Sequence, residues 1–283
     1  MTDTVEPITT IDDARDRARK LGVTAITAQA ILAKLLGRDR SWLLAHAEEP
    51  LTPEQSARYA ELLNRAAQGE PLAYITQVRE FCGLEFEITP EVLVPRPETE
   101  MLVEAAERWV EANHKPDARI IDVGTGSGAI AIAAAVRLPR ARITATDVSK
   151  AALEVARRNA ARHGVEGRIA LMASHLLKIV PGPYDIILAN LPYIPSGELA
   201  ELEAGRWEPL VALDGGPDGI RLIERLIEQA PGRIAPGGLM ALEMQFDQGE
   251  RIAALCRQTF PAAEVRVERD LAGFDRIVTT AVP

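Results

Sequence analysis

The sequence predicts an α/β protein, with a mostly parallel sheet of seven strands carrying helices on both faces. A small helical N-terminal domain precedes it, joined through a β-hairpin connector. Three observations carry that expectation. From residue 118 onward, short aliphatic runs alternate with helix-length segments, the signature of a sheet built from strand–helix–strand crossovers. The first 75 residues carry helix starts and stops without strand-like alternation. Residues 76–97 switch to a period of two. The expected division is therefore 1–75 (helical), 76–97 (connector) and 98–283 (sheet domain).

Each element has its local reason. Thr10 before Ile11-Asp12-Asp13 resembles a capping box, and Ile11, Ala14, Ala18 and Leu21 recur at helical spacing. A second helix is expected over about 26–36, where Ile31, Leu32, Leu35 and Leu36 are apolar and Gly37 provides the stop. Thr52, Pro53 and Gln55 start a third, with a stripe of Tyr59, Leu62, Leu63 and Ala66 ending at Gly69. In the connector Phe81, Leu84, Phe86 and Ile88 alternate with polar residues, and Val92-Leu93-Val94 follows a turn expected at Pro90. Pro95-Arg96-Pro97 stiffens the entry to a helix over about 98–112. Strands are expected at 119–123, 142–147, 168–172, 184–189, 238–244, 264–268 and 275–280. Helices fill the gaps at about 128–137, 149–163, 217–230 and 247–258.

Bulk properties narrow the class. The 283 residues suffice for one large and one small domain, and 47% hydrophobic with 26% charged content is ordinary for a water-exposed globular chain. No apolar run approaches the ~18 residues of a membrane span. The acidic N-terminus Met1-Thr-Asp-Thr-Val-Glu6 lacks the apolar stretch of a signal peptide, which points to the cytoplasm. Cys82 and Cys256, with His46, His114, His163 and His175, have no disulfide or metal-ligand spacing, so no metal is expected. A net charge of −9 disfavours a general nucleic-acid binder, whose affinity comes from phosphate neutralisation.

Two motifs carry chemistry. The strand Ile120-Ile121-Asp122-Val123 runs into Gly124-Thr125-Gly126-Ser127-Gly128 and then into the apolar helix that begins Ala129-Ile130. Alternate glycines let the backbone turn tightly and approach a ligand. Asp147, ending the next expected strand, is positioned to accept both hydroxyls of a ribose. This combination predicts a nucleoside cofactor, while Gly124-x-Gly126-x-x-Ala129 equally satisfies a dinucleotide fingerprint. The second motif, Asn190-Leu191-Pro192-Tyr193, closes the fourth expected strand. An amide nitrogen is a poor nucleophile because its lone pair is delocalised into the carbonyl. The Asn190 side-chain oxygen and the Leu191 carbonyl could hold its two N–H groups and turn the lone pair toward a methyl donor, with the Tyr193 ring stacked on the planar group. This points to methylation of an amide or amino nitrogen.

Several segments of the chain resemble the PrmC/HemK family of release-factor glutamine N5-methyltransferases. They are Gly69-Glu-Pro-Leu-Ala-Tyr-Ile75, Arg79-Glu-Phe81, Leu93-Val-Pro-Arg-Pro-Glu-Thr-Glu100, Asp122 to Gly128 and Asn190 to Tyr193, with weaker likeness at Glu208-Pro209 through Gly215 and Gly219 and at Ala241-Leu-Glu243. The resemblance covers nearly the whole chain and implies a Rossmann-like class I methyltransferase domain. It further implies S-adenosyl-L-methionine on Gly124, Thr125, Gly126, Ser127, Gly128, Asp147, Leu176 and Asn190. The substrate amide would lie on Asn190, Leu191, Pro192 and Tyr193, and Arg96 and Glu100 would shape the pocket mouth. The implied partner is a class 1 peptide chain release factor. Three positions depart from the family pattern: Leu191 for a usual proline, Gln77 for a usual glycine, and Ser174-His175-Leu176 where an acidic and a bulky residue usually meet the adenine. Asn-Leu-Pro-Tyr is also a form found in rRNA adenine dimethyltransferases. Adenine N6 methylation of RNA or DNA, and glutamine methylation of a ribosomal protein, are the competing readings.

Overall fold

The computed structural model describes residues 8–202 and 204–283, which fall into two compact units meeting between Val78 and Arg79. The first unit is all helical: α1 (Ile11–Lys20), α2 (Ala25–Leu36), α3 (Arg40–Ala45), α4 (Pro53–Ala67) and α5 (Leu72–Thr76). Both expected capping boxes form. The Thr10 hydroxyl accepts from Asp13 N at 3.2 Å, and the Thr52 hydroxyl accepts from Gln55 N at 3.2 Å, with each third-position side chain reaching back to the cap N–H. Its core is Ile11, Ile31, Leu32, Leu43, Tyr59 and Leu63, each fully buried. Tyr59 donates its hydroxyl proton to the Ala14 carbonyl at 3.1 Å.

Sequence periodicity did not anticipate α3 and α5. Helices of six and five residues hold too few turns to establish a period; α3 is announced only by its cap, Asp39 accepting from Trp42 N at 2.7 Å. Helix α5 stops at Gln77, which sits in the left-handed region (φ 57°), a conformation that favours the glycine usual there.

At the boundary of the second unit a hairpin forms, β1 (Val78–Phe81) and β2 (Leu84–Glu87), with its turn at Cys82-Gly83. The expected Pro90 turn also forms, Val92 N donating to the Thr89 carbonyl at 3.1 Å, but it closes no hairpin. Both hairpin-turn residues have positive φ (53° and 76°), the geometry of a two-residue hairpin loop, and Cys82 takes it without being glycine. Residues 92–94 form no strand. A single turn of 3-10 helix (Pro97–Thr99) then leads into α6 (Glu100–Ala112).

The sheet follows as β3 (Arg119–Val123), α7 (Ala129–Arg137), β4 (Arg142–Asp147), α8 (Lys150–Arg162), β5 (Ile169–Ala173) and β6 (Tyr184–Ala189). Next come β7 (Ile194–Pro195), α9 (Ala204–Trp207), β8 (Asp214–Gly216) and α10 (Arg221–Gln229). The last elements are β9 (Ile234–Glu243), α11 (Gly249–Thr259), β10 (Glu264–Arg269) and β11 (Asp275–Ala281). All seven expected strands pair, in the order β10-β11-β9-β6-β3-β4-β5, and only β11 runs antiparallel to its neighbours. β6 is buried at every residue, as a central strand covered on both faces must be. The parallel pair β7 and β8 went unforeseen because two- and three-residue strands have no period.

The strand order sets the position of the site. The chain leaves β3 for β4 and β5, then returns to β6 on the other side of β3. This reversal opens a crevice at the carboxyl ends of β3 and β6, where parallel α/β sheets bind ligands. In register, Val123 pairs with Ala189 and Ala189 with Leu242, so Gly124, Asn190 and Glu243 follow side by side. Asp147 ends β4 alongside Ala173.

Candidate active site

A cavity of about 420 Å³ occupies that crevice. Its lining includes Thr99, Gly124 to Ser127, Asp147, Ser174 to Leu176 and Asn190 to Pro192. Leu210 and Val211 also line it while staying 57% and 58% exposed.

The glycine turn is held from beneath. Gly124 N and Thr125 N both donate to the Thr146 carbonyl at 2.8 Å, and Gly126 N donates to Asp147 Oδ2 at 3.0 Å. Ser149 N donates to Asp147 Oδ1 at 2.8 Å. Each Asp147 oxygen therefore spends one lone pair on backbone and keeps another for a ligand hydroxyl. Burial raises the Asp147 pKa from its ordinary value, against the opposing pull of these backbone N–H groups. Below the turn Asp122 is fully buried. Its Oδ2 accepts from the Thr125 hydroxyl at 2.6 Å and from Ala131 N at 3.2 Å, while Oδ1 has no partner. Burial pushes its carboxyl up to about 7.

Two glycines are fixed by contact as well as by φ. At Gly124 (φ +81°) a Cβ would come 2.9 Å from Leu191 Cδ2. At Gly128 (φ +83°) it would meet Ile132 Cδ1 at 2.9 Å and Ala156 Cβ at 3.1 Å. Gly128 thus packs α7 against α8 and does not line the cavity.

Asn190 follows the last residue of β6, and its Nδ2 donates to the Thr99 hydroxyl at 3.0 Å. Leu191 turns its side chain into the core, 4% exposed. Tyr193 does not line the cavity: its ring packs against the core and its hydroxyl donates to Glu243 Oε1 at 3.3 Å. Burial raises the Tyr193 pKa, so the hydroxyl stays a donor. Arg96 Nη2 donates to both oxygens of Glu208 at 2.8 and 2.7 Å, tying the 3-10 entry to the β7–β8 loop. Glu100 accepts from Cys82 N at 2.8 Å and so fastens the hairpin turn, away from the cavity lining; the Pro95–Glu100 segment instead sends Pro95 and Thr99 into it.

The donor set fits a nucleoside with a charged tail: a half-satisfied carboxylate, a glycine turn that admits close approach, and a helix N-terminus behind it. Among the described residues no group of three His, Cys, Asp or Glu side chains is placed to hold a metal ion.

Comparison with known proteins decides the family. The PrmC N-terminal domain matches residues 11–76, and the ribosomal protein L11 methyltransferase (PrmA) family matches residues 96–201. A release factor glutamine methyltransferase of Bordetella pertussis is 44% identical over 260 residues, covering 90% of this chain and 94% of that protein. One from Moorella thermoacetica is 42% identical, covering 89% of each. The chain belongs to the release factor glutamine methyltransferase family. Its fold is also that of a Pyrococcus furiosus methyltransferase structure (TM-score 0.51, 20% identity), which covers 80% of this chain and 98% of that one.

Three residues that build the site were not foreseen from the sequence. Asn159, fully buried in α8, donates to the Ser127 carbonyl at 2.9 Å and the Glu87 carbonyl at 3.0 Å, and accepts from Glu87 N at 2.7 Å. It pins the glycine turn to the hairpin, and its one sequence signal is an amide inside an otherwise apolar helix face. Thr99 and Glu243 sat within resembling segments but were given no role.

Proposed function

We propose that this enzyme transfers the methyl group of S-adenosylmethionine to the side-chain amide nitrogen of a glutamine in a class 1 peptide chain release factor. The observation that carries the reading is Asn190. It stands beside Gly124 at the switch point, with its NH2 group engaged by Thr99 and its Oδ1 left to accept. When bound, S-adenosylmethionine supplies an electrophilic methyl on a sulfonium. Asp147 would accept the ribose hydroxyls, Gly124 to Ser127 would follow the methionine portion, and Ser174 to Leu176 would border the adenine. Asn190 Oδ1 and the Leu191 carbonyl would take the two N–H groups of the glutamine, with Pro192 beside the planar amide. The N–C bond forms as the S–C bond breaks; sulfur keeps that electron pair, and the nitrogen gives up one proton to solvent. Positioning and dipoles supply the acceleration.

The helical unit is the proposed docking element for the release factor. Its match to the PrmC N-terminal domain supports this reading over a ribosomal-protein substrate, because the L11 methyltransferase match is confined to 96–201. The net charge of −9 weighs against an RNA or DNA adenine substrate. Translation termination would place the activity in the cytoplasm; among the described residues no helix is long and apolar enough to cross a membrane. Labelled S-adenosylmethionine, incubated with a purified release factor and mapped by mass spectrometry, should put one methyl on a glutamine. Label on RNA, on a ribosomal protein, or on no glutamine would overturn the proposal.

A further inference from the structure

We infer that Thr99 and Glu243 form a positioning pair that locks the Asn190 amide with its oxygen, and not its nitrogen, toward the cavity. The inference rests on the amide-methylation reading above and deepens it. An asparagine amide is nearly symmetric in shape, so packing alone cannot choose between its two orientations; the hydrogen-bond network must. Among the described residues, the partner of the Asn190 amide is the Thr99 hydroxyl at 3.0 Å. A hydroxyl both donates and accepts, so it would serve either amide orientation unless its own proton is committed elsewhere. Glu243 commits it. The β6–β9 register sets Glu243 beside Asn190, and its side chain is almost completely buried. Its Oε1 takes the Tyr193 hydroxyl, while Oε2 is buried without a hydrogen bond. This unpartnered Oε2 is the acceptor we assign to the Thr99 proton, the hydroxyl lying near enough to the carboxyl to lower its pKa.

An ionised Glu243 can only accept. Thr99 must then give it its proton and take one from Asn190, which turns Nδ2 to Thr99 and Oδ1 to the substrate. A protonated Glu243 can donate, and Thr99 is released to donate to Oδ1. The amide then turns over and offers NH2 to the glutamine NH2, a repulsive pairing. The charged and titratable groups facing Glu243 are Arg276 on β11, Tyr193 after β6 and Glu98 in the 3-10 turn. Burial outweighs Arg276 and the two hydroxyls and pushes the carboxyl up to about 7, so the switch falls within a testable range.

The test uses the full-length enzyme, purified release factor and Thr99→Val, Thr99→Ser and Glu243→Gln variants. The measurements are kcat, KM, S-adenosylmethionine affinity and melting temperature. Thr99→Val should lower kcat by about a hundredfold, the scale of a misplaced catalytic group, with cofactor affinity unchanged; Thr99→Ser should restore it. Wild-type kcat should fall as the pH drops below about 7, and Glu243→Gln should remove that acid limb. A folded Thr99→Val with wild-type kcat, or an acid limb that persists in Glu243→Gln, would overturn the inference. Should Thr99→Val not fold, the pH profile of the isosteric Glu243→Gln decides alone. A wild-type enzyme that methylates no release-factor glutamine would sink the proposed function instead, a separable outcome.

Discussion

Replacing Gly124 by alanine strains two things that can be separated. The backbone there holds φ +81°, which costs an L-residue about 1–2 kcal/mol. The new methyl would also lie 2.9 Å from Leu191 Cδ2, well inside contact distance, and Leu191, packed in the core and bordering the cavity, must shift to admit it. Overpacking of that kind costs about 1–3 kcal/mol. Gly124→Ala should therefore destabilise by about 2–5 kcal/mol in all. Leu191→Ala removes the obstructing carbon and leaves the φ cost, so in that background the same change should cost only about 1–2 kcal/mol. The difference, a coupling of about 1–3 kcal/mol, is measurable as a double-mutant cycle by urea denaturation of the four proteins without ligand. Calorimetric titration should show weaker S-adenosylmethionine binding in Gly124→Ala, because a displaced Leu191 drags the turn with it. Additive effects in the cycle, within about 0.5 kcal/mol, would refute the contact as the cause.

Other expectations follow from the same geometry. Asn190→Ala should abolish methyl transfer while largely sparing S-adenosylmethionine affinity, and Asp147→Ala should weaken that affinity first; near-normal turnover in Asn190→Ala would reject the amide grip. Arg96→Ala strands the buried Glu208 carboxylate and should destabilise by about 1–3 kcal/mol, the half-exposed arginine discounting the usual cost of a broken buried pair; urea titration checks this, and the loss should shrink as the pH is lowered. Gln77→Gly should stabilise by about 1 kcal/mol by relieving a left-handed side chain, seen as a raised melting temperature. Asp122 and Glu243 bind protons more tightly folded than unfolded, so the stability they add is complete below their ordinary values and is lost as pH rises through about 7. Asp122→Asn and Glu243→Gln should each flatten the fall in melting temperature between about pH 5 and about pH 8.

What the sequence disclosed was whatever repeats. Seven strands and the long helices each extend over enough residues to set a period, and the glycine turn and Asn190 motif sit at strand ends that the period locates. The elements it concealed were short or defined by partners. The hairpin turn was placed at Pro90 because proline is a loud turn signal, whereas Cys82 adopts a glycine-like φ of 53° through tertiary support, its N–H held by Glu100. The family resemblance implied that Arg96 and Glu100 shape the pocket mouth, yet each spends its charge on a structural partner. Thr99, between them, enters the cavity. A threonine has no sequence signal for such a role; only the β6–β9 register brings Asn190 alongside Glu243, and only the 3-10 turn brings Thr99 to Asn190.

The place of β11 between β9 and β10 bears on how the chain is made. β10 emerges from the ribosome before β11 does, yet it bonds to the sheet only through β11. Until β11 is made, β9 presents an open edge and β10 has no strand to pair with. That edge strand ends in Glu243, so the groove wall lacks its neighbour until β11 is made. A nascent chain stalled before β11 would offer its unpaired strand to any passing neighbour, the situation in which edge-to-edge association begins. β11 thus covers the open edge of β9 and gives β10 its partner in one step.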